Sequence, residues 1–106
     1  MATVFTASSH HPFKIPEKYN GKFKKGKIEM HEPIQYTDYA IKKYFETAKK
    51  EPWFKNTIFV FTGDHTNQVF YPEYEKAMNR FAVPLIFYSP NPEFNLKGIN
   101  NEEAQQ

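Results

Sequence analysis

The apolar residues of the central segment recur with the spacing of an α-helix. They lie at positions i, i+3, i+4 and i+7, which places them on one helical face, while lysines and glutamates fill the other side. These residues are Ile41, Tyr44, Phe45 and Ala48. Because Pro33 suits a first helical turn and Pro52 cannot continue a helix, the pattern predicts a helix over residues 34–50. Trp53 and Phe54 are predicted to pack as core at its end.

Three shorter runs have the composition of β-strands. β-Branched and aromatic residues dominate residues 3–7, 56–63 and 81–90, which predicts a strand in each run. The run at 56–63 is almost continuously apolar, and this is typical of a strand covered on both faces in a parallel sheet. Pro84 places the third strand at a sheet edge or at a bulge.

The order of these elements predicts an α/β fold with a mostly parallel sheet and flanking helices. A short helix or helical turn is predicted at 72–80, between the last two strands. Residues 8–27 form a long irregular loop, and loops of this length are often functional. Residues 1–106 fit a single domain, and the polar tail at 91–106 is predicted to be mobile.

Composition narrows the classes of partner. The formal net charge is +2, with 14 basic and 12 acidic residues, so nucleic acid is not expected as a partner. The one basic run, Lys22 to Lys27, is interpreted as a solvated loop rather than a phosphate- or membrane-binding patch. The absence of cysteine excludes disulfides and thiolate metal ligands. Since no apolar run approaches the ~20 residues that span a bilayer, the chain itself is expected to be soluble.

Polar side chains that can bind ligands follow two of the predicted strands. His10 and His11 come after the first strand, and Asp64 and His65 come after the second. If the strands are parallel neighbours, these four side chains converge at one edge of the sheet. Asp64 and His65 offer a carboxylate oxygen and an imidazole nitrogen to one cation, and Gly63 frees the backbone for a sharp turn before them.

Each of these candidates also has an interpretation without chemistry. Two ligands do not complete a metal site, and Asp64 could cap the following turn while His65 remains exposed. His10 and His11 could lie on a surface loop, and His31, which has no polar partner nearby in sequence, is interpreted as a surface residue.

Three stretches of the chain together resemble a known family. They are "TASSHHPFKIP", "YTDYAIKKYFETAKKEPWFKNTIFVFTGDHT" and "NRFAVPLIFYSP". In this order they resemble the C-terminal half of a sulfatase-type catalytic domain of the alkaline phosphatase superfamily. The similarity is nearest to the lipoteichoic acid synthase and phosphoglycerol transferase branch, and covers about residues 3–90. It implies that residues 1–106 are part of a three-layer α/β sandwich.

The resemblance also implies roles for individual residues. The aspartate and histidine of the family's G-D-H motif ligate the active-site metal, and these correspond to Asp64 and His65. The histidine of its S/N-H-x-P-F/Y motif contacts the phosphate or sulfate group, and this corresponds to His10. His11 falls on a variable position of that motif, and Asp38 is expected to be a structural anchor on the helix.

The identity of the metal follows from the ligand types. Calcium sulfatases of this superfamily usually pair the aspartate with asparagine, which makes an all-oxygen set for a hard cation. The imidazole of His65 instead favours Mn²⁺ or Zn²⁺ and phosphoester chemistry. Mn²⁺ is therefore the expected ion, with Zn²⁺, Mg²⁺ and Ca²⁺ as alternatives, and an isolated chain could lack it.

The family also needs a nucleophile and further acidic ligands, which the resemblance assigns to an N-terminal half absent from these residues. The chain is thus expected to be part of a metal-dependent phospho- or sulfo-ester transferase or hydrolase, without turnover of its own. Its substrate would be a small-molecule or lipid-linked ester, and its parent a membrane-anchored, extracytoplasmic bacterial protein. The alternatives are part of a sulfate ester hydrolase and a non-enzymatic α/β interaction module. Exposed sheet edges could also support a homodimer.

Overall fold

The computed structural model describes residues 1–66 and 68–96. Its regular elements are helix α1 (His31–Ala48) and strands β1 (Phe59–Thr62) and β2 (Leu85–Tyr88). Short 3-10 helices occur between and after them, at Glu17–Tyr19, Phe54–Asn56, Pro72–Glu75, Asn79–Phe81 and Pro92–Phe94. The last of these lies in the predicted polar tail, of which residues 97–106 fall outside the described part. Among the described helices, none is long and apolar enough to cross a bilayer.

Helix α1 confirms the predicted amphipathic helix, although its bounds are shifted. It begins at His31 rather than 34, because Pro33 is accommodated inside the first turn, where its missing N–H costs no helical hydrogen bond. It ends at Ala48, and the Lys49 N–H still donates to the Phe45 carbonyl at 3.1 Å. The apolar stripe marks the face of a helix well and its ends poorly.

The sheet corrects the prediction of a mostly parallel arrangement. In the described residues β1 and β2 pair antiparallel, and Phe59 lies opposite Tyr88. Parallel strands need a crossover connection of a dozen or more residues, usually helical. The connection here contains short 3-10 turns, Pro72–Glu75 and Asn79–Phe81, in place of the helix predicted at 72–80.

Two of the predicted strands are shortened and the first is absent. Residues 3–7 form exposed irregular backbone, with Val4 83% and Phe5 72% exposed, because β propensity yields a strand only where a neighbour pairs with it. Pro84 lies immediately before β2 rather than within it. There its missing N–H removes no ladder hydrogen bond.

The core lies between α1 and one face of the two strands. Its centre is the Phe45 ring, whose centroid is 4.8 Å from that of Phe59, 5.7 Å from that of Tyr88 and 5.9 Å from that of Phe54. Phe54 is buried, as predicted, whereas Trp53 is 43% exposed and is not a core residue.

The opposite face of the sheet is open, so the prediction that β1 is covered on both faces is wrong. Side chains alternate along a strand, and the register places Val60 and Phe87 together on the face away from α1. They are 53% and 54% exposed, and Leu85 on the same face is 56% exposed. Helix α1 therefore covers only one face of the sheet formed by β1 and β2.

The loop before α1 is fastened to the helix by two side chains. The Gln35 amide donates to the Lys24 carbonyl at 2.8 Å and accepts from the Lys24 N–H at 3.3 Å. The Lys27 N–H donates to His31 Nδ1 at 3.1 Å, and the His31 ring packs edge-on against Phe70. His31, interpreted from sequence as a surface residue, is a half-buried anchor.

Replacing Gly26 with alanine should therefore loosen this attachment. A Cβ at this position would overlap the His31 imidazole, including its Cβ and Cγ atoms, which cannot swing aside as a chain end could. We expect a loss of about 1–3 kcal/mol in the free energy of unfolding, the usual cost of overpacking, measured by urea denaturation. His31→Ala removes the ring atoms of this obstacle, Cγ and Nδ1, while its Cβ remains. The overlap is thus partly relieved, so the double variant should lose less than the sum of the two single variants. Strictly additive losses would contradict the steric explanation.

Candidate active site

The loop after β1 carries Asp64 and His65, and Gly63 sets its path. β1 ends at Thr62, and in the antiparallel pair this end lies beside the beginning of β2. A Cβ on Gly63 would lie 3.2 Å from Val83 Cγ1 and 3.3 Å from Val83 Cβ. Gly63 does not adopt a positive φ, so its role is to allow this close approach rather than a sharp turn.

Asp64 and His65 are held in a defined mutual geometry. Asp64 Oδ1 accepts the His65 backbone N–H at 2.9 Å, and Asp64 Oδ2 lies 3.5 Å from His65 Nε2. His65 Nδ1 lies 3.1 Å from the carbonyl oxygen of Thr66. Because a carbonyl oxygen only accepts, Nδ1 must carry the hydrogen of this bond. In the neutral ring, Nε2 then presents its lone pair towards the Asp64 carboxylate.

This arrangement suits a positive charge between the two side chains. A proton on Nε2 or a cation between the two atoms would offset the repulsion of their lone pairs. Two ligands that are each about 2.1 Å from one tetrahedral ion are themselves about 3.4 Å apart. The observed Oδ2–Nε2 distance of 3.5 Å matches that spacing. Both side chains are more than half exposed, so an ion can reach them.

The surroundings of Asp64 favour its ionised carboxylate, the form that can bind a metal ion. The hydrogen bond from the His65 N–H lowers the pKa of Asp64 below its ordinary value of 3.8. The backbone N–H of Asp64 and the charges of His65 and His10 act in the same direction, while partial desolvation opposes them. Because the folded pKa lies below the unfolded one, the associated stability is present above pH 3.8 and is lost as pH falls through the folded value. At neutral pH Asp64 is therefore ionised.

His10 is positioned by two consecutive turns. The His10 N–H donates to the Ala7 carbonyl at 3.1 Å, and the Phe13 N–H donates to the His10 carbonyl at 2.8 Å. His10 Nδ1 lies 2.8 Å from the His11 carbonyl and donates to it. As in His65, the nearby backbone fixes Nδ1, so Nε2 is the ring nitrogen that remains for chemistry. His11 instead packs its ring edge-on against Phe13.

These loops line one cavity of about 350 Å³. His10, Asp64 and His65 all contribute to its wall, whereas His11 and Asp38 do not. Three of the four side chains that were expected to converge thus line one cavity, although not through parallel strand ends. The irregular segment before His10 supplies Phe5 and Thr6 to the wall, helix α1 supplies Ile34 from its first turn, and Met30 contributes from just before the helix.

Gln68 is a site residue that the sequence analysis missed. It lines the same cavity, and its Oε1 atom is buried without a hydrogen-bond partner among the described residues. Such an acceptor costs about 1–3 kcal/mol when left unpaired, which makes it a candidate contact for a bound molecule. The available signal was its place in the polar stretch "GDHTNQ" that follows β1.

Comparison with known proteins identifies the family. The family model described as Sulfatase matches residues 1–102. The chain belongs to the sulfatase family. This confirms the family part of the resemblance, and it agrees with a mixed helix and strand structure whose described sheet is two-stranded and antiparallel. No solved structure gave a match to this sulfatase-family chain.

The donors available to a metal in this sulfatase-family chain amount to a partial set. Within residues 1–66 and 68–96 no group of three or more His, Asp or Glu side chains is close enough to hold an ion. The Asp64–His65 pair fits two positions of a coordination shell, and structural or catalytic sites for these metals use at least three protein ligands or additional water.

Proposed function

We propose that this chain forms part of a metal-dependent site that transfers or hydrolyses a phospho- or sulfo-ester, with phosphoglycerol transfer as the reaction we infer. In this proposal Asp64 and His65 ligate a divalent cation, and His10 contacts the transferred group. The observation that carries it is the 3.5 Å approach of Asp64 Oδ2 to His65 Nε2, with Nδ1 committed to a backbone carbonyl. A non-enzymatic module would not require His10 at the same cavity.

Each side chain would have a separate task. The cation, when bound, would polarise the ester and lower the energy of charge that develops on the transferred group. Thr66, through its carbonyl, holds the His65 ring and so aims Nε2. His10, when protonated at Nε2, can donate a charge-assisted hydrogen bond to an anionic phosphate or sulfate oxygen.

The donor chemistry favours Mn²⁺ and phosphoester substrates. One carboxylate and one imidazole suit Mn²⁺ or Zn²⁺ better than Ca²⁺, which takes oxygen ligands. The nucleophile and the remaining ligands would come from residues other than those described. Hydrolysis of a sulfate ester is the second candidate, and the match to the Sulfatase model favours it. In both cases the substrate is a small-molecule or lipid-linked ester.

Calorimetric titration with Mn²⁺ tests the metal part of this proposal. We expect the chain to bind Mn²⁺ weakly, since two protein ligands leave most of the shell to water. Asp64→Ala and His65→Ala should each abolish measurable binding, because outer-shell changes alone already cost about 10–100-fold in affinity. His11→Ala is the matched control, because it removes a neighbouring imidazole that does not line the cavity.

The role of His10 is separable from that of the metal ligands. His10→Ala should retain Mn²⁺ binding and should lose the additional binding of inorganic phosphate that is measured in the presence of Mn²⁺. Mn²⁺ binding that survives Asp64→Ala, or that disappears equally in His11→Ala, would refute the assignment of Asp64 and His65 as ligands.

A further inference from the structure

A second group of chemically active side chains lies outside the cavity, where residues 16–23 pack on α1. Tyr36 and Phe45 are nine residues apart, or two and a half helical turns, so they lie on opposite sides of α1. The Tyr19 ring contacts Tyr36 and Tyr39, at centroid distances of 5.3 and 5.7 Å. This packing therefore occupies the side of the helix that faces away from the sheet.

Three lysine ammonium groups gather over these rings. Lys22 Nζ lies 3.7 Å from the Tyr39 centroid and 5.3 Å from the Tyr19 centroid. Lys18 Nζ is 5.1 Å from the Tyr19 centroid, and Lys43 Nζ is 5.8 Å from the Tyr39 centroid. We call these five residues the Lys–Tyr cluster. Neighbouring ammonium groups are thus within about one Debye length at 0.1 M salt, so they repel each other.

The charges around the cluster do not balance. Lys43 is paired with Glu46 at 2.6 Å, whereas the contacts of Lys18 and Lys22 described above are with aromatic faces. Cation–π contacts at exposed sites contribute about 0.5–1 kcal/mol and leave the ammonium hydrogens able to bind an anion. The Lys22 ammonium, by hydrogen bonding and by its charge, also lowers the pKa of the Tyr39 hydroxyl.

The cluster is held in place before any ligand binds. The loop that carries Lys22 is fastened to α1 by the paired hydrogen bonds between Gln35 and the Lys24 backbone. Lys43 is on the helix itself, and Phe23 packs against both Tyr36 and Tyr39. A surface whose side chains are already positioned loses less entropy when it binds. The lysine run interpreted from sequence as a solvated loop is thus, at its beginning, part of an organised surface.

We infer that the Lys–Tyr cluster binds a polyanion, a chain molecule that carries several phosphate or sulfate groups. The Lys18 and Lys22 ammonium groups, whose contacts described above are with the Tyr19 and Tyr39 rings, can each meet a separate anionic group, and lysine binds phosphate as a point charge. Ile34 lines the cavity, and Tyr39 lies about 7.5 Å further along the axis of α1 and about 140° around it, so the cluster and the cavity open on different sides of the helix. The cluster would hold a non-reacting part of a polymeric ester that passes around the helix, a link that rests on the proposed function.

Binding of inorganic polyphosphate tests the inference, measured by calorimetry on the full chain with EDTA present so that no metal contributes. The double variant Lys18→Gln/Lys22→Gln should bind at least about tenfold more weakly, since hydrogen bonds to charged groups are worth about 1.5–3 kcal/mol. Lys50→Gln/Lys55→Gln removes the same charge from elsewhere on the surface, and should weaken binding less than about threefold. Lys22→Arg should retain most of the affinity.

Further measurements separate this site from the catalytic cavity and from a membrane surface. Circular dichroism should show the same helix content and melting temperature for both double variants. Asp64→Ala should leave polyphosphate binding unchanged, even if it abolishes Mn²⁺ binding. Equal losses in the two double variants, a loss in Asp64→Ala, or no polyphosphate binding would each overturn the inference. So would lysine-dependent binding to phosphatidylglycerol vesicles that exceeds binding to polyphosphate.

Discussion

Replacing Asp64 with asparagine is expected to lower kcat/KM by at least about 10³-fold in the protein expressed from its complete open reading frame. The change preserves the shape of the side chain and removes the charge that, in the proposed function, neutralises the cation. Because a catalytic metal supplies several kcal/mol of charge stabilisation, and each 1.36 kcal/mol is a factor of ten, its loss has a large effect. The measurement is turnover of a chromogenic phosphodiester with Mn²⁺, compared with turnover of a chromogenic sulfate ester.

Asp38→Asn provides a matched control for this experiment. Asp38 is an exposed residue of α1 that does not line the cavity, so the same chemical change there should leave kcat/KM nearly unaltered. A raised Mn²⁺ concentration should partly restore the kcat/KM of the Asp64→Asn variant, since the weakened site can still be filled by mass action. Activity within a few-fold of the parent would contradict the proposed role of Asp64. The preferred ester decides between phosphoester and sulfate ester chemistry.

Phe45→Ala is expected to cause the largest loss of stability. The Phe45 ring contacts rings from both strands and from the 3-10 helix at Phe54–Asn56, so its removal separates α1 from the sheet. Replacing a fully buried Phe with Ala lowers the free energy of unfolding by about 3–5 kcal/mol, and for this half-buried ring we expect a loss of about 2–4 kcal/mol. Urea denaturation followed by circular dichroism measures the change in the free energy of unfolding.

Phe81→Ala serves as the control for Phe45→Ala. Phe81 is 71% exposed, so an identical truncation there should change the free energy of unfolding by no more than about 0.5 kcal/mol. If Phe45→Ala abolishes a cooperative transition, Phe45→Leu should still unfold cooperatively, at a lower urea midpoint than the parent. Equal effects at Phe45 and Phe81 would show that the helix does not depend on this contact.

Local pattern predicted the helix because its information is local. The spacing of Ile41, Phe45 and Ala48 defines one continuous helical face. On this face Phe45 contacts the sheet through Phe59, and Ala48 is buried. Strand prediction depends on partners that a local pattern does not contain. Residues 3–7 have good β composition and still form no strand. The antiparallel direction of β2 is likewise a property of its pairing with β1, which is distant in sequence.

The sequence placed three candidate residues on one cavity, although it did not give the sheet that carries them. The residues His10, Asp64 and His65 were selected for their chemistry and for a resemblance, and the structure places them on one cavity. The expectation of parallel strand ends was wrong, and the residues that follow β1 line the cavity beside an antiparallel pair. The sequence showed only the place of Gln68 in the polar stretch after β1. Its amide oxygen, unpaired among the described residues, and the converging lysines of the Lys–Tyr cluster are properties of three-dimensional packing rather than of spacing.

Because one face of the sheet is open, the stability measured for these residues alone is lower than their stability with that face covered. Three apolar side chains on this face are exposed to water, namely Val60, Leu85 and Phe87. Burial of apolar surface stabilises a fold by about 25 cal/mol per square ångström, and this contribution is missing where the surface stays hydrated. Anything that binds this face in the folded state and not in the unfolded state raises the melting temperature by mass action. A melting curve recorded on the 106 residues therefore reports a lower bound, and the increase upon covering that face would measure how strongly its folding is coupled to its surroundings.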